Sequence, residues 1–383
     1  MDNALNRAGM KKSFGRSLLY TLPMSLITFM IMTGGRLNFT SPASALAMVV
    51  TLLFVNILYF LMHYTGKTDK FRAILFIIFA LSLSFTLISK MMAMRNVMSF
   101  SQADILECKI PFCHLVIPMM ILPAVFTESI IFPGSIIGGF ANIASMVVLW
   151  LVATLVLGKG FCSWGCFYGG WDDGFSRIRK KPTIKKISEI WKWMPFAVLI
   201  MVSLTAALTL IPTYCDWICP FKAVTEFEQV TSVESATKAG IFVSLFVGMV
   251  VVLPVMTRKR TQCSFLCPLG AVNTVSNKVT PFTIKVEKKA CTECFKCVEV
   301  CPLFALSAEG IKEGKVSVFC CKCGKCVDAC SKNAIHFGIK GVPAGTMKNF
   351  SRNLFLFVSF LFIAVFSSGS IINSLQSFFN LVF

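Results

Sequence analysis

Histidine is the scarcest of the chemistry-bearing residues in this chain, with three in 383 positions. Acidic residues are few as well: 18 Asp plus Glu stand against 37 Lys plus Arg. Charged residues reach only 14%, where an average soluble domain has about 25%. With 56% hydrophobic residues and a mean hydropathy of +0.74, that shortage excludes an ordinary water-soluble globule. Also missing are a Walker phosphate loop, a G-x-G-x-x-G strand–helix turn, a zinc-protease motif and any flavin motif. The net charge of +19 would suggest nucleic acid, but 37 Phe and several bilayer-length apolar runs do not suit a nucleic-acid binder. What the chain does have is 17 Cys. Disulfide scaffolds of that density are short chains with small cores. An integral membrane protein whose cysteines bind metal remains.

Apolar stretches of about 17–25 residues read as spanning helices. They fall near 17–34, 43–64, 72–94, 136–157, 193–212, 238–257 and 353–379, so a mostly α membrane protein of about seven transmembrane helices is expected. The first is too long, and too poorly followed by a cleavage site, for a signal peptide, and reads as an anchor. Stretch 114–133 is apolar but cut by Pro118, Pro123 and Pro133, and proline disfavours a continuous helix. Charge decides its status. With seven spans and the N-terminus inside, inner segments carry 31 of the 37 basic residues. Outer segments keep Arg36, Lys90, Arg95, Lys109, Lys222 and Lys238. An eighth span would break this positive-inside asymmetry, so 114–133 is expected to be re-entrant or interfacial on the outer side. The expected order is a cytoplasmic N-terminus (1–16), three spans (17–94), an outer-face cysteine loop (95–135) and three spans with cysteine motifs (136–267). A cytoplasmic module (268–345) and a last span (353–379) follow, placing the C-terminus outside an inner membrane.

The module carries two matching runs: Cys291-x2-Cys294-x2-Cys297-x3-Cys301-Pro302 and Cys320-x2-Cys323-x2-Cys326-x3-Cys330. This is the bacterial two-cluster ferredoxin spacing, in which the fourth cysteine of each run reaches the other cluster. It predicts a small α+β double-cubane module. Cys291, Cys294, Cys297 and Cys330 would hold one [4Fe–4S] cluster; Cys301, Cys320, Cys323 and Cys326 would hold the other. A pair of zinc sites also uses Cys-x2-Cys, but the x2-x2-x3 register and Pro302 disfavour it. Ser331 replaces the usual second proline and moves no ligand. Cys321 lies outside the register and reads as a bystander.

Six more cysteines come as Cys-x3-Cys pairs: Cys162/Cys166, Cys215/Cys219 and Cys263/Cys267, and Cys108/Cys113 adds a wider pair. Gly158-Lys-Gly-Phe-Cys-Ser-Trp-Gly-Cys and Lys259-Arg-Thr-Gln-Cys-Ser-Phe-Leu-Cys read as an internal repeat, each closing an outside-to-inside helix. Residues four apart share a helix face, so each pair can present both sulfurs one way. The topology puts Cys162, Cys166, Cys263 and Cys267 at the inner face and Cys108, Cys113, Cys215 and Cys219 at the outer. Four thiols per face is one cluster's complement; disulfides compete at the outer face, which is oxidising. Two to four [4Fe–4S] clusters are therefore expected.

These motifs resemble the NapH/NosR-type membrane polyferredoxins over about residues 136–335, through Cys162–Cys166, Cys215–Cys219-Pro220, Cys263–Cys267-Pro268 and the ferredoxin run. The resemblance implies a quinol-dehydrogenase subunit or an electron conduit to a partner reductase. This chain departs from the pattern in having Phe167 where a proline is usual, extra cysteine pairs, and no flavin-bearing outer domain.

The expected function is electron relay across the membrane, as a subunit of an oxidoreductase complex. Its partners would be membrane lipid, a cytoplasmic ferredoxin- or flavodoxin-like carrier and an outer-face redox partner. Lys285, Lys288, Lys289 and Lys322 are candidates to steer an acidic carrier, and the basic loop 177–192 to meet a carrier or anionic lipid. A quinol dehydrogenase is the alternative, with His63, His114, Glu128 and Trp217 as candidate proton-handling residues near a quinone. An assembly or regulatory protein with structural clusters is a third reading. Haem has little support, because His63 falls inside, His114 outside, and His336 in the module.

Overall fold

The computed structural model describes residues 14–34, 41–95, 114–115, 117–119, 143–184, 187–210, 213–225 and 232–382. Its long helices are α1 (Phe14–Thr33), α2 (Pro42–Thr65), α3 (Thr68–Arg95), α4 (Ile143–Leu157), α5 (Phe167–Phe175), α6 (Met194–Thr209) and α7 (Val233–Leu245). Helix α7 runs on through a π-turn, Phe246–Val252, and a last turn, Leu253–Thr257. Local chemistry sets several ends. Ser41 caps α2 with Pro42 in its first turn and left-handed Gly66 beyond its last, and Ser232 and Ser235 form a capping box on α7.

Among the described residues, five helices are long and apolar enough to span a membrane: Phe14–Thr33, Pro42–Thr65, Glu189–Thr209, Val233–Thr257 and Lys348–Leu381. A sixth arises if Val148–Trp164 and Phe167–Phe175, bent by 42°, count as one broken span. Helix α3 occupies the place of the expected third span; Leu75, Phe76, Phe79 and Ala80 are buried where it packs on α2, α5 and the C-terminal helix, while Leu81 and Phe85 are exposed.

After α8 (Pro268–Ser276) the chain enters the cysteine module. Strands β1 (Phe282–Val286) and β2 (Ile335–Ile339) bracket it, antiparallel and in register from Phe282↔Ile339 to Val286↔Ile335. Phe282, Ile284 and Val286 alternate inward, as a half-buried strand requires. Between the strands lie α9 (Lys296–Val300) and α10 (Lys325–Ala329), and α11 (Lys348–Val382) closes the chain. Phe355 of α11 stacks on Phe337 (4.7 Å) and meets Phe282 edge-on. Arg352 donates to the carbonyls of Met62 and Gly66 at the end of α2. The last helix thus clamps the module onto the membrane helices.

Four charged groups complete the join. Arg72 donates to Asp69, Asp173 and the Cys323 carbonyl, while Arg177 pairs with Asp69 and Asp173. Buried ions require such saturation to be tolerated. Arg177 therefore belongs to this internal lattice and not to an outward-facing basic loop. The rest of that loop ends in exposed Ile190, Trp191 and Trp193, a composition suited to a lipid interface.

Candidate metal centres

The two cysteine runs fold as copies. Glu293, Phe295 and Phe304 have positive φ in the first; Lys322, Gly324 and Asn333 have it at the corresponding places of the second. Such left-handed residues between the cysteines curl each loop so that three sulfurs turn toward one centre. Helices α9 and α10 then carry the chain to the fourth cysteine. One cavity of about 380 Å³ is lined by Cys291, Cys294, Cys297 and Cys330. A second of about 320 Å³ is lined by Cys301, Cys320, Cys323 and Cys326. Cys321 also lines the second cavity. No three Cys, His, Asp or Glu of the described residues converge as a single-ion site; a cubane, whose thiolates sit on the corners of a wider box, suits these cavities better. The first cavity is near the surface, with Cys294 exposed; the second is buried against the membrane helices.

The Cys-x3-Cys pairs share a different local geometry from the single helix face expected. Cys162 sits in the helical turn Phe161–Trp164, and Cys215 and Cys263 in the π-turns Tyr214–Ile218 and Gln262–Leu266. Each second cysteine is extended: Cys166 (ψ 113°), Cys219 (ψ 110°) and Cys267 (ψ 112°). Each then accepts a turn bond three residues on, from Gly169, Lys222 and Gly270. Pro220 and Pro268 account for two of these breaks, since the residue before proline avoids the helical region. At Cys166 no proline follows, and the amides of Gly165 and Cys166 both return to the Phe161 carbonyl. π-Turns of this kind recur at functional sites.

Cys162, Cys166, Cys263 and Cys267 are all buried and lie within electrostatic reach of one another. Two cations are buried with them. Lys159 is 2% exposed and its ammonium bonds Thr274. Arg260 is wholly buried and reaches the sulfurs of Cys263 (3.6 Å) and Cys321 (4.0 Å). A buried cation is tolerated only beside negative charge, so this donor set fits an anionic iron–sulfur cluster.

Cys321, outside the register, is buried. With Cys263, Leu303 and Cys323 it forms one buried cluster, joining the second module cavity to the membrane cysteines. Lys322 is likewise internal, bonded to the Leu157 carbonyl and Asn277; it cannot steer a carrier. Lys288, Lys289, Lys296 and Lys332 are the exposed basic residues of the module near its first cavity.

Cys215 and Cys219 do not lie a bilayer's thickness from the inner set. The Tyr168 side chain, two residues beyond Cys166, hydrogen-bonds Cys219, and Phe221 packs on both Phe167 and Tyr168. Gln262, next to Cys263, donates its Nε2 to the Tyr214 hydroxyl at 2.9 Å. The turn at Pro220 folds this segment into the helix bundle instead of out to a face. His114 also lies beside Cys166, at 3.1 Å, so the opposite sides expected for these two residues do not hold. Among the described residues Cys215 and Cys219 form no disulfide; Cys108, Cys113 and Glu128 fall outside the described residues. Of the other candidates, His63 packs between Tyr20 and Tyr59, and Trp217 lies under Lys238. His336 accepts from the Gly345 amide on β2.

A family model described as a 4Fe-4S binding domain matches three times, at residues 139–185, 192–229 and 239–287, each match containing one Cys-x3-Cys pair. The chain is 24% identical to the uncharacterized protein MJ0750 of Methanocaldococcus jannaschii, over 52% of its own length and 80% of that protein's. It is 26% identical to the ferredoxin-type protein NapH of Haemophilus influenzae, over 42% of this chain and 52% of that one. With the methylamine utilization ferredoxin-type protein MauN of Methylobacillus flagellatus it shares 24%, over 45% and 58%. It thus spans about half the length of the last two. No solved structure matches. Apolar helices carrying repeated 4Fe-4S-binding segments define an iron–sulfur electron-transport protein of the membrane. In these segments the chain is similar to ferredoxin-type proteins such as NapH and MauN.

Proposed function

We propose that this chain relays electrons singly between a soluble carrier and a partner at the membrane, through cysteine sets arranged in series. Cys294 and its cavity form the exposed end, ringed by Lys288, Lys289, Lys296 and Lys332, which would receive an acidic carrier. Cys301, Cys320, Cys323 and Cys326 form the next station. The membrane set of Cys162, Cys166, Cys263 and Cys267 follows, and then Cys215 and Cys219 with Cys108 and Cys113. In this reading the seven spans put the N-terminus and module in the cytoplasm. Each [4Fe–4S] cluster, when bound, supplies one reversible one-electron step. The residues of the chain hold the thiolates, exclude water and bury compensating cations.

The observation that carries this reading is the packing of Cys263, Leu303, Cys321 and Cys323 into one buried cluster, which leaves no solvent between module and membrane set. Iron and acid-labile sulfide analysis of the purified full-length protein tests it. About 16 iron atoms per chain are expected for four centres, or about 12 if the Cys215/Cys219 set holds none. About eight, the module alone, would refute the series.

A further inference from the structure

The two most similar membrane motifs share a feature beyond their cysteines. Lys159 stands three residues before Cys162 and Arg260 three before Cys263, whereas Pro212 holds that place before Cys215. Both cations are buried, and Arg260 is the more elaborately seated. Its guanidinium donates to Ser163 Oγ (2.7 Å), the Cys162 carbonyl (2.6 Å) and the Gly169 carbonyl (3.1 Å). The backbone amide of Arg260 donates to Pro302 of the module (3.0 Å). Position 169 must be glycine for this seat, because a Cβ there would lie 2.2 Å from Nη2 of Arg260.

The ring of contacts leaves the charge beside sulfur. Nη2 is 3.6 Å from Cys263 Sγ in the membrane set, and Nη1 is 4.0 Å from Cys321 Sγ against the module cavity. Of the nearby carboxylates, Asp173 is already paired with Arg72 and Arg177, and Asp172 accepts the Cys263 amide. In a dry interior a fixed cation at this range favours whichever state of its neighbour is more negative.

We propose that Arg260, with Lys159 as its counterpart in the repeat, is the counter-charge that sets how readily the membrane cysteine set accepts an electron from the module. This rests on the reading that Cys162, Cys166, Cys263 and Cys267 hold a cluster. The step is a bare one-electron transfer: the module side loses one electron, the membrane side gains it, no bond forms or breaks, and no proton moves. Arg260 acts as a positioning residue, placing positive charge where the new negative charge arrives.

Purified full-length wild-type protein, Arg260→Gln, Arg260→Lys and Gly169→Ala are compared by iron content and by redox titration followed by electron paramagnetic resonance. Arg260→Gln is expected to keep wild-type iron and to disfavour the reduced form of one centre about tenfold, a downward shift of about 59 mV for one electron. Arg260→Lys restores most of that potential. Gly169→Ala, which unseats the guanidinium without changing the charge count, shifts the same centre downward by less. An unshifted midpoint in Arg260→Gln at full iron content overturns the proposal. If Arg260→Gln does not fold, Gly169→Ala carries the test, and an unshifted midpoint there overturns it. Wild-type protein with about eight iron atoms per chain would instead remove the membrane cluster on which the proposal stands, a result separate from any effect of Arg260.

Discussion

Nε2 of His114 lies 3.1 Å from the sulfur of Cys166, in a pocket walled by the rings of Phe161, Phe167 and Tyr168. An N–H directed at a cluster sulfur raises the reduction potential of that cluster. His114→Leu should therefore keep the iron content and lower the midpoint of one membrane centre. Superimposable titrations of variant and wild type would show that the contact has no electronic role.

Cys219 is hydrogen-bonded to Tyr168, and Cys215 lies in the same turn. If they complete a cluster with Cys108 and Cys113, the double variant Cys215→Ser/Cys219→Ser should lose about four iron atoms per chain and leave the module signals unchanged. Retention of all iron would restrict the series to three stations.

Asp328, between two module cysteines, accepts the backbone N–H groups of Thr68 (3.1 Å) and Asp69 (2.8 Å) at the start of α3. The module therefore caps a membrane helix. Asp328→Ala should cost about 0.5–2 kcal/mol, the usual loss of an N-cap. Hydrogen exchange would show the amides of residues 68 and 69 losing protection first. Unchanged protection there would assign the docking to Arg72 and Arg352 alone.

Gly158 has φ +58°, and a Cβ on it would meet Asn277 Oδ1 at 2.3 Å. Asn277 is the residue that bonds Lys159, Lys322 and the carbonyls of Val318 and Cys320. Gly158→Ala should destabilise the joint by about 1–3 kcal/mol through overpacking, seen as a lower thermal midpoint with module cluster signals intact before melting. A midpoint equal to wild type would mean that the loop can shift without cost.

Glu287 is held below the usual carboxylate range by its hydrogen bond from Lys348, the first residue of α11. A depressed carboxylate stabilises the fold above its unfolded pKa, and that contribution is lost as pH falls through the folded value. Acidification below about pH 4, near the unfolded Glu value, should loosen the first turn of α11 before the core. In Lys348→Met that early loosening should be absent from amide-exchange profiles. A Lys348→Met profile that follows wild type at every pH would count against the pair.

Long apolar runs and the doubled ferredoxin spacing were legible because each depends on residues near one another in the chain. Bilayer crossing needs consecutive apolar residues, and a thiolate loop around a cubane needs fixed short gaps. The crossed lining of the two module cavities follows from the same spacing. Charge counts, by contrast, placed His114 and Cys219 by loop, and a loop that folds back into the bundle keeps its count while changing its depth. The surroundings of Cys321 had to come from the fold for a related reason: it is buried in one cluster with Cys263, 58 residues away in the chain.

By itself, the sequence determined that the chain is an apolar, helical, cysteine-rich protein with two ferredoxin runs and a repeated membrane motif. Tertiary structure alone decided how these parts meet. It set Arg260 between two sulfurs, put Tyr168 against Cys219, and made Asp328 the cap of α3. Each of these contacts joins residues distant in the chain, and burial is what gives them weight. A cation or a polar group far from water must be answered by whatever the packing brings to it, and no local pattern of residues specifies that partner.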